Sequence, residues 1–91
     1  MSIAVKVPTI LRTYTGGQAD VTVEGATLSE ALADLDRQYP GISARVLDDD
    51  GKLRRFVNVY VNDDDVRFLE DLQTPTPDGA SISIIPAVAG G

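Results

Sequence analysis

The stretch Ser81-Ile-Ser-Ile-Ile-Pro-Ala-Val-Ala-Gly-Gly91 changes character at Pro86. Before it, Ile82 and Ile84 alternate with Ser81 and Ser83, the period-two pattern of a strand with one face in a core. After it, Ala87, Val88 and Ala89 run into Gly90 and Gly91. Glycine loses more conformational freedom on being fixed than any other residue. The sequence therefore predicts a flexible arm outside the folded body, ending in a carboxylate and able to enter a slot too narrow for a Cβ. A carboxylate is a poor electrophile, so a terminus built for chemistry must be activated by another protein, most simply as an acyl adenylate. The carrier itself then needs no catalytic residue. Against this stands a bland alternative, because chain ends are commonly small and disordered and a short motif easily matches by chance.

Upstream, the same period recurs. Ile3, Val5 and Val7 alternate with Ala4 and Lys6 as far as Pro8, and Val21 and Val23 alternate with Asp20, Thr22 and Glu24. Two such runs around the loop containing Gly16-Gly17 predict an antiparallel hairpin. Thr27-Leu-Ser-Glu30 fits a capping box, in which the Thr27 hydroxyl takes the Glu30 amide and Glu30 reaches back. Leu28, Ala31, Leu32 and Leu35 then form one apolar stripe at helical spacing, which Tyr39 extends. Pro40-Gly41 ends that helix. Ile42 to Leu47 has room for one more short turn, followed by a loop at Asp48-Asp-Asp-Gly51. Val57, Val59 and Val61 predict a middle strand with its valines inward. Asn62 to Asp65 reads as a turn, Val66-Arg-Phe68 as a short edge strand, Leu69 to Leu72 as one helical turn, and Pro75 to Gly79 as another turn. One helix on an amphipathic sheet is an α+β layout: a mixed sheet of about four to five strands covered by one main helix. Its order suits a ubiquitin-like β-grasp with the first and last strands side by side at the centre. Residues 1–91 are expected to form a single domain, with 87–91 as the tail.

Composition removes most alternatives. The chain has no Cys and no His, so thiolate nucleophiles, imidazole bases, disulfides and the usual transition-metal ligands are absent. Neither a catalytic residue of its own nor a bound metal or cofactor is expected. Iron–sulfur variants of the β-grasp are excluded for the same reason. A net charge of −6 disfavours nucleic-acid binding, which needs clustered Lys and Arg, and favours a partner with a basic docking face. No apolar run reaches the length of a membrane span. Met1 to Pro8 lacks a signal-peptide plan, and the expected location is cytoplasmic.

Three segments resemble the ThiS/MoaD family of ubiquitin-like sulfur carriers: Val5-Lys-Val-Pro-Thr-Ile-Leu-Arg12, Phe56-Val-Asn-Val-Tyr-Val-Asn-Asp63, and the Pro-Ala-Val-Ala-Gly-Gly end. Gly41-Ile-Ser, Arg55-Phe-Val-Asn and the Ala-Val-Ala-Gly-Gly tail are most similar to those members of the family that serve cysteine formation. The resemblance implies that an E1-like adenylating and sulfurtransferase enzyme uses ATP to adenylate Gly91, and that sulfur then replaces AMP to leave a thiocarboxylate. It also implies a pyridoxal-phosphate-dependent cysteine synthase working on O-phosphoserine, and a JAMM-type metallopeptidase that releases the product. Ala87, Val88, Ala89 and Gly90 would thread into these partners. A MoaD-like small subunit of molybdopterin synthase and a protein modifier joined to lysine through Gly91 would use the same terminus. A β-grasp binding module with an incidental Gly-Gly end also stays open.

The other signals are weaker. Asp48-Asp-Asp-Gly51 lacks the alternating ligands and acidic twelfth position of a calcium loop, and Asn62 to Asp65 has no such spacing either. Lys52, Arg54 and Arg55 form the only basic cluster, which reads either as a local anion site or as a surface balancing nearby Asp residues. Tyr60 and Ile85 fall on the strand face opposite the inward valines and isoleucines. With Phe56 they form a possible docking face for the activating enzyme, although single exposed apolar residues are also ordinary.

Overall fold

The computed structural model describes residues 2–86. Ile3 and Val5 bury one face of strand β1 (Ser2–Lys6), and Val21 and Val23 do the same for β2 (Asp20–Glu24). The two pair antiparallel, with Val5 opposite Val21. Strand β1 stops before Val7, but that residue remains buried and its N–H donates to the Ala19 carbonyl at 2.7 Å.

Helix α1 spans Leu28–Gln38 with Thr27 as its N-cap. The Thr27 hydroxyl accepts from the Glu30 N–H at 3.3 Å. Glu30 reaches back one residue further than predicted, to the Ala26 N–H at 3.0 Å. Leu28, Ala31, Leu32 and Leu35 are buried, and Tyr39 packs against the core as the C-cap residue. Each fully buried leucine stabilises the fold by about 1.5–3 kcal/mol relative to exposure. A short helix α2 follows at Ser43–Val46, placing Ile42 and Val46 in the same core.

Strand β3 (Val57–Val61) turns its three valines inward, and β5 (Ser81–Pro86) does so with Ile82 and Ile84. With a two-residue edge strand β4 (Asp64–Asp65), the sheet order is β2-β1-β5-β3-β4. β1 runs parallel to β5 and β5 antiparallel to β3. The first and last strands are thus neighbours near the centre of a mixed sheet, the ubiquitin-like β-grasp that the sequence predicts.

The edge differs from the sequence reading. The fifth strand, β4, is Asp64–Asp65 rather than Val66–Phe68, and it pairs with Tyr60 and Val61. Asn62 adopts φ 57°, a left-handed conformation that Asn tolerates better than most residues, so the chain reverses two residues sooner. Asp65 then accepts the Arg67 N–H at 2.9 Å and caps a 3-10 turn at Val66–Phe68 that drives Val66 into the core. The next turn is also 3-10 and covers Asp71–Gln73, rather than Leu69 to Leu72.

Candidate functional site at the tail exit

Gly91 and the tail residues Ala87, Val88, Ala89 and Gly90 lie outside the described residues. The structure does describe where the chain departs. Pro86 sits opposite Val57 and Ile85 opposite Asn58, so the last residue of β5 reaches the sheet end at which β3 begins.

Phe56 precedes β3 in a tight turn closed by the Val57 N–H on the Arg54 carbonyl at 3.1 Å. That turn leaves Phe56 54% exposed. Ile85 is 48% exposed on the outer sheet face. Tyr60 stands opposite Ser83 on the same face but is half-buried, so the accessible apolar surface comes chiefly from Phe56 and Ile85. Phe56 also lines a hollow of about 240 Å³ with Asp48, Arg54, Arg55 and Val57.

Two members of the basic cluster, Arg54 and Arg55, line this hollow. Arg54 Nε donates to the Ala44 carbonyl in α2 at 3.0 Å, and the Arg55 guanidinium carbon lies 5.7 Å from the Phe56 ring centroid. Asp48 accepts the backbone N–H groups of Asp50 at 2.9 Å and Lys52 at 3.0 Å. The Lys52 amide does most to hold the Asp48 carboxyl below its ordinary value, with the Arg54 and Lys52 charges adding to it. The acidic loop is therefore organised by its own backbone.

Arg67 escaped the sequence reading. Its Nη1 donates to Asn58 Oδ1 at 2.9 Å and its Nη2 to the Arg54 carbonyl at 2.6 Å, tying the 3-10 turn after β4 to the start of β3. No local pattern announces this, because the partners lie nine and thirteen residues away. Phe68 beside it is 87% exposed, which its assignment to a strand had not anticipated.

The sequence profile described as the ThiS family matches residues 5–91. The chain belongs to the ThiS family. It is 54% identical over 93 residues to "Sulfur carrier protein CysO" of Mycobacterium tuberculosis H37Rv, covering all of both chains. Its fold superposes with a TM-score of 0.92 on a chain of the BexX/CysO complex of Amycolatopsis orientalis, at 49% identity over 98% of this chain and 99% of that one. A more distant structural likeness is to small archaeal modifier protein 1 of Haloferax volcanii, with a TM-score of 0.83, 30% identity and full coverage of both chains.

Proposed function

We propose that this ThiS-family protein is a sulfur carrier that serves cysteine synthesis and acts as a protein co-substrate rather than a catalyst. The observation that carries the reading is full-length similarity to a sulfur carrier, with the family match running through Gly91. Absence of Cys and His from the chain supports it, because cargo sulfur then has no side chain to occupy.

In this reading an E1-like enzyme joins the Gly91 carboxylate to AMP from ATP, releasing pyrophosphate. A sulfur nucleophile attacks the acyl carbon, AMP leaves, and a thiocarboxylate results. This species is a softer nucleophile than the carboxylate and is ionised at neutral pH. It adds to an aminoacrylate derived from O-phosphoserine on a pyridoxal-phosphate-dependent synthase, and a JAMM-type metallopeptidase frees the cysteine. Ala87, Val88, Ala89 and Gly90 thread into these partners. The carrier binds no cofactor, metal, nucleic acid or membrane in this scheme, and it works in the cytoplasm. Among the described residues no helix is long and apolar enough to cross a membrane.

Phe56, Ile85 and the partly covered Tyr60 form the docking face for the activating enzyme. The position of Phe56 and Ile85 beside the strand end that leads to the tail supports the assignment, because a partner gripping the tail must pass near them.

A second reading has support in the likeness to small archaeal modifier protein 1: Gly91 joined to lysines of other proteins. Intact mass spectrometry of the protein from its native host, with alkylation to trap sulfur, separates the two. A mass gain equal to one oxygen-to-sulfur exchange, or to an added cysteine, is the expected result. Conjugates of higher mass that need Gly91 would favour the modifier. An unmodified terminus under both sulfur-replete and sulfur-starved growth would overturn the carrier.

A further inference from the structure

Strand register places charged side chains at both ends of the sheet. Lys6 lies beside Ser83, midway along β5, and opposite Asp20 of β2, while Val57 opposite Pro86 places the approach to β3, with Arg54 and Arg55, at the exit end. At the other end, Glu24 pairs with Ser2, Asp64 pairs with Val61, and Asp78 accepts the Ser2 N–H at 2.7 Å. The exit end thus carries Arg54 and Arg55 around Phe56 beside the acidic loop that begins at Asp48, on a chain with a net charge of −6.

Arg54, Arg55 and Arg67 are positioned there by contacts to uncharged groups, with the Asp48 charge near Arg54. Arg54 is held by the Ala44 carbonyl, Arg67 by the Asn58 amide oxygen and the Arg54 carbonyl, and Arg55 lies over the Phe56 ring. Every one of these contacts is to an uncharged group. Asp48, the carboxylate lining the same hollow, accepts two backbone amides. The ion pair found among the described residues joins Arg37 to Asp34, within α1. A pre-oriented guanidinium matches a carboxylate bidentately and loses little freedom in pairing.

We infer that this end of the molecule docks on a protein surface that presents carboxylates around an apolar recess, with Phe56 filling the recess and Arg54, Arg55 and Arg67 pairing with its rim. Arginine beside an exposed aromatic is the composition of interface hot spots. A polyanionic nucleic acid suits the site poorly, because the remaining surface would repel it. This local cluster favours an acidic partner surface, whereas net charge alone favours a basic one. This inference rests on the carrier reading, and it specifies the chemistry of the partner that takes the tail.

The test uses the full-length protein and the E1-like adenylating enzyme of its own host, followed by ATP–pyrophosphate exchange at several salt concentrations. In R54E/R55E the KM for the carrier should rise by about tenfold or more while kcat changes little, and added salt should no longer slow the reaction as it does for the wild type. R54K/R55K should recover most of the loss, and Asp63→Lys at the opposite end should leave KM unchanged. Circular dichroism of each variant establishes that it is folded. If the wild type is adenylated and R54E/R55E shows the same KM and salt dependence, the docking inference is overturned and the carrier reading stands. If the wild type supports no exchange, both fall. Tight binding of a fluorescent single-stranded oligonucleotide at physiological salt, lost in R54E/R55E, would overturn the protein partner in favour of a nucleic acid.

Discussion

A Cβ added at Gly25 would fall 2.5 Å from the Ala31 nitrogen, 2.8 Å from the Glu30 carbonyl carbon and 2.9 Å from the Ala31 Cα. All three atoms are helix backbone, which cannot swing aside as a side chain would. The Thr76 hydroxyl pins the same residue by donating to the Gly25 carbonyl at 2.9 Å. Gly25→Ala is therefore expected to cost about 1–3 kcal/mol of stability through overpacking, read as a lower urea midpoint with an unchanged slope. A midpoint equal to that of the wild type would show that α1 can move away from β2. Sequence reasoning had no hold on this position, because the crowding comes from residues five and six further along, brought back by the turn into the helix. The turn at Asn62 was equally hidden: the residue type permits a left-handed conformation without requiring it.

Elements were most legible where periodicity and caps agreed. The Thr27–Glu30 capping signal and the Leu28, Ala31, Leu32, Leu35 stripe place α1 correctly, because both depend only on residues within the helix. The corner between α1 and α2 shows what such signals omit. Asp36 accepts from the Ser43 hydroxyl at 2.9 Å, the Ser43 N–H at 3.2 Å and the Gly41 N–H at 3.1 Å. These bonds, led by the Ser43 hydroxyl, lower its pKa from an ordinary 3.8. A depressed folded-state pKa means that the unfolded chain binds the proton more readily. The stabilisation is thus fully present above the unfolded value and is lost as pH falls through the folded one. Asp34 and Asp48 are shifted in the same direction, mainly by the Glu24 and Lys52 amides respectively. The urea midpoint should therefore drop as pH is lowered below about 4. Asp36→Asn should start lower at neutral pH and fall less steeply, and parallel curves for the two proteins would remove Asp36 from the account.

Across the whole molecule, folding and the proposed chemistry occupy separate parts. The core draws on β1, β2, α1, α2, β3 and β5, whereas the proposed acyl site is the terminal glycine. Deleting Gly90-Gly91 is accordingly expected to leave the urea midpoint unchanged while abolishing adenylation by the activating enzyme. Adenylation that survives the deletion would remove Gly91 from the reaction. The sheet also protects its outer strand: Asp34 accepts the Glu24 N–H of β2 at 2.9 Å, and Gln38 Nε2 donates to the Thr22 carbonyl at 3.0 Å. Side chains of α1 thereby occupy backbone groups that could otherwise recruit another strand. By itself the sequence determined the strands that alternate, the helix and its cap, the ubiquitin-like fold and the family resemblance, because periodicity, capping and the Gly-Gly ending are written in adjacent residues. Tertiary structure alone decided the two-residue edge strand, the crowding at Gly25, the bracing of β3 by Arg67, and the gathering of cations around Phe56. Each of these depends on which distant segments the sheet register brings together, and contacts over such separations leave no local pattern to read.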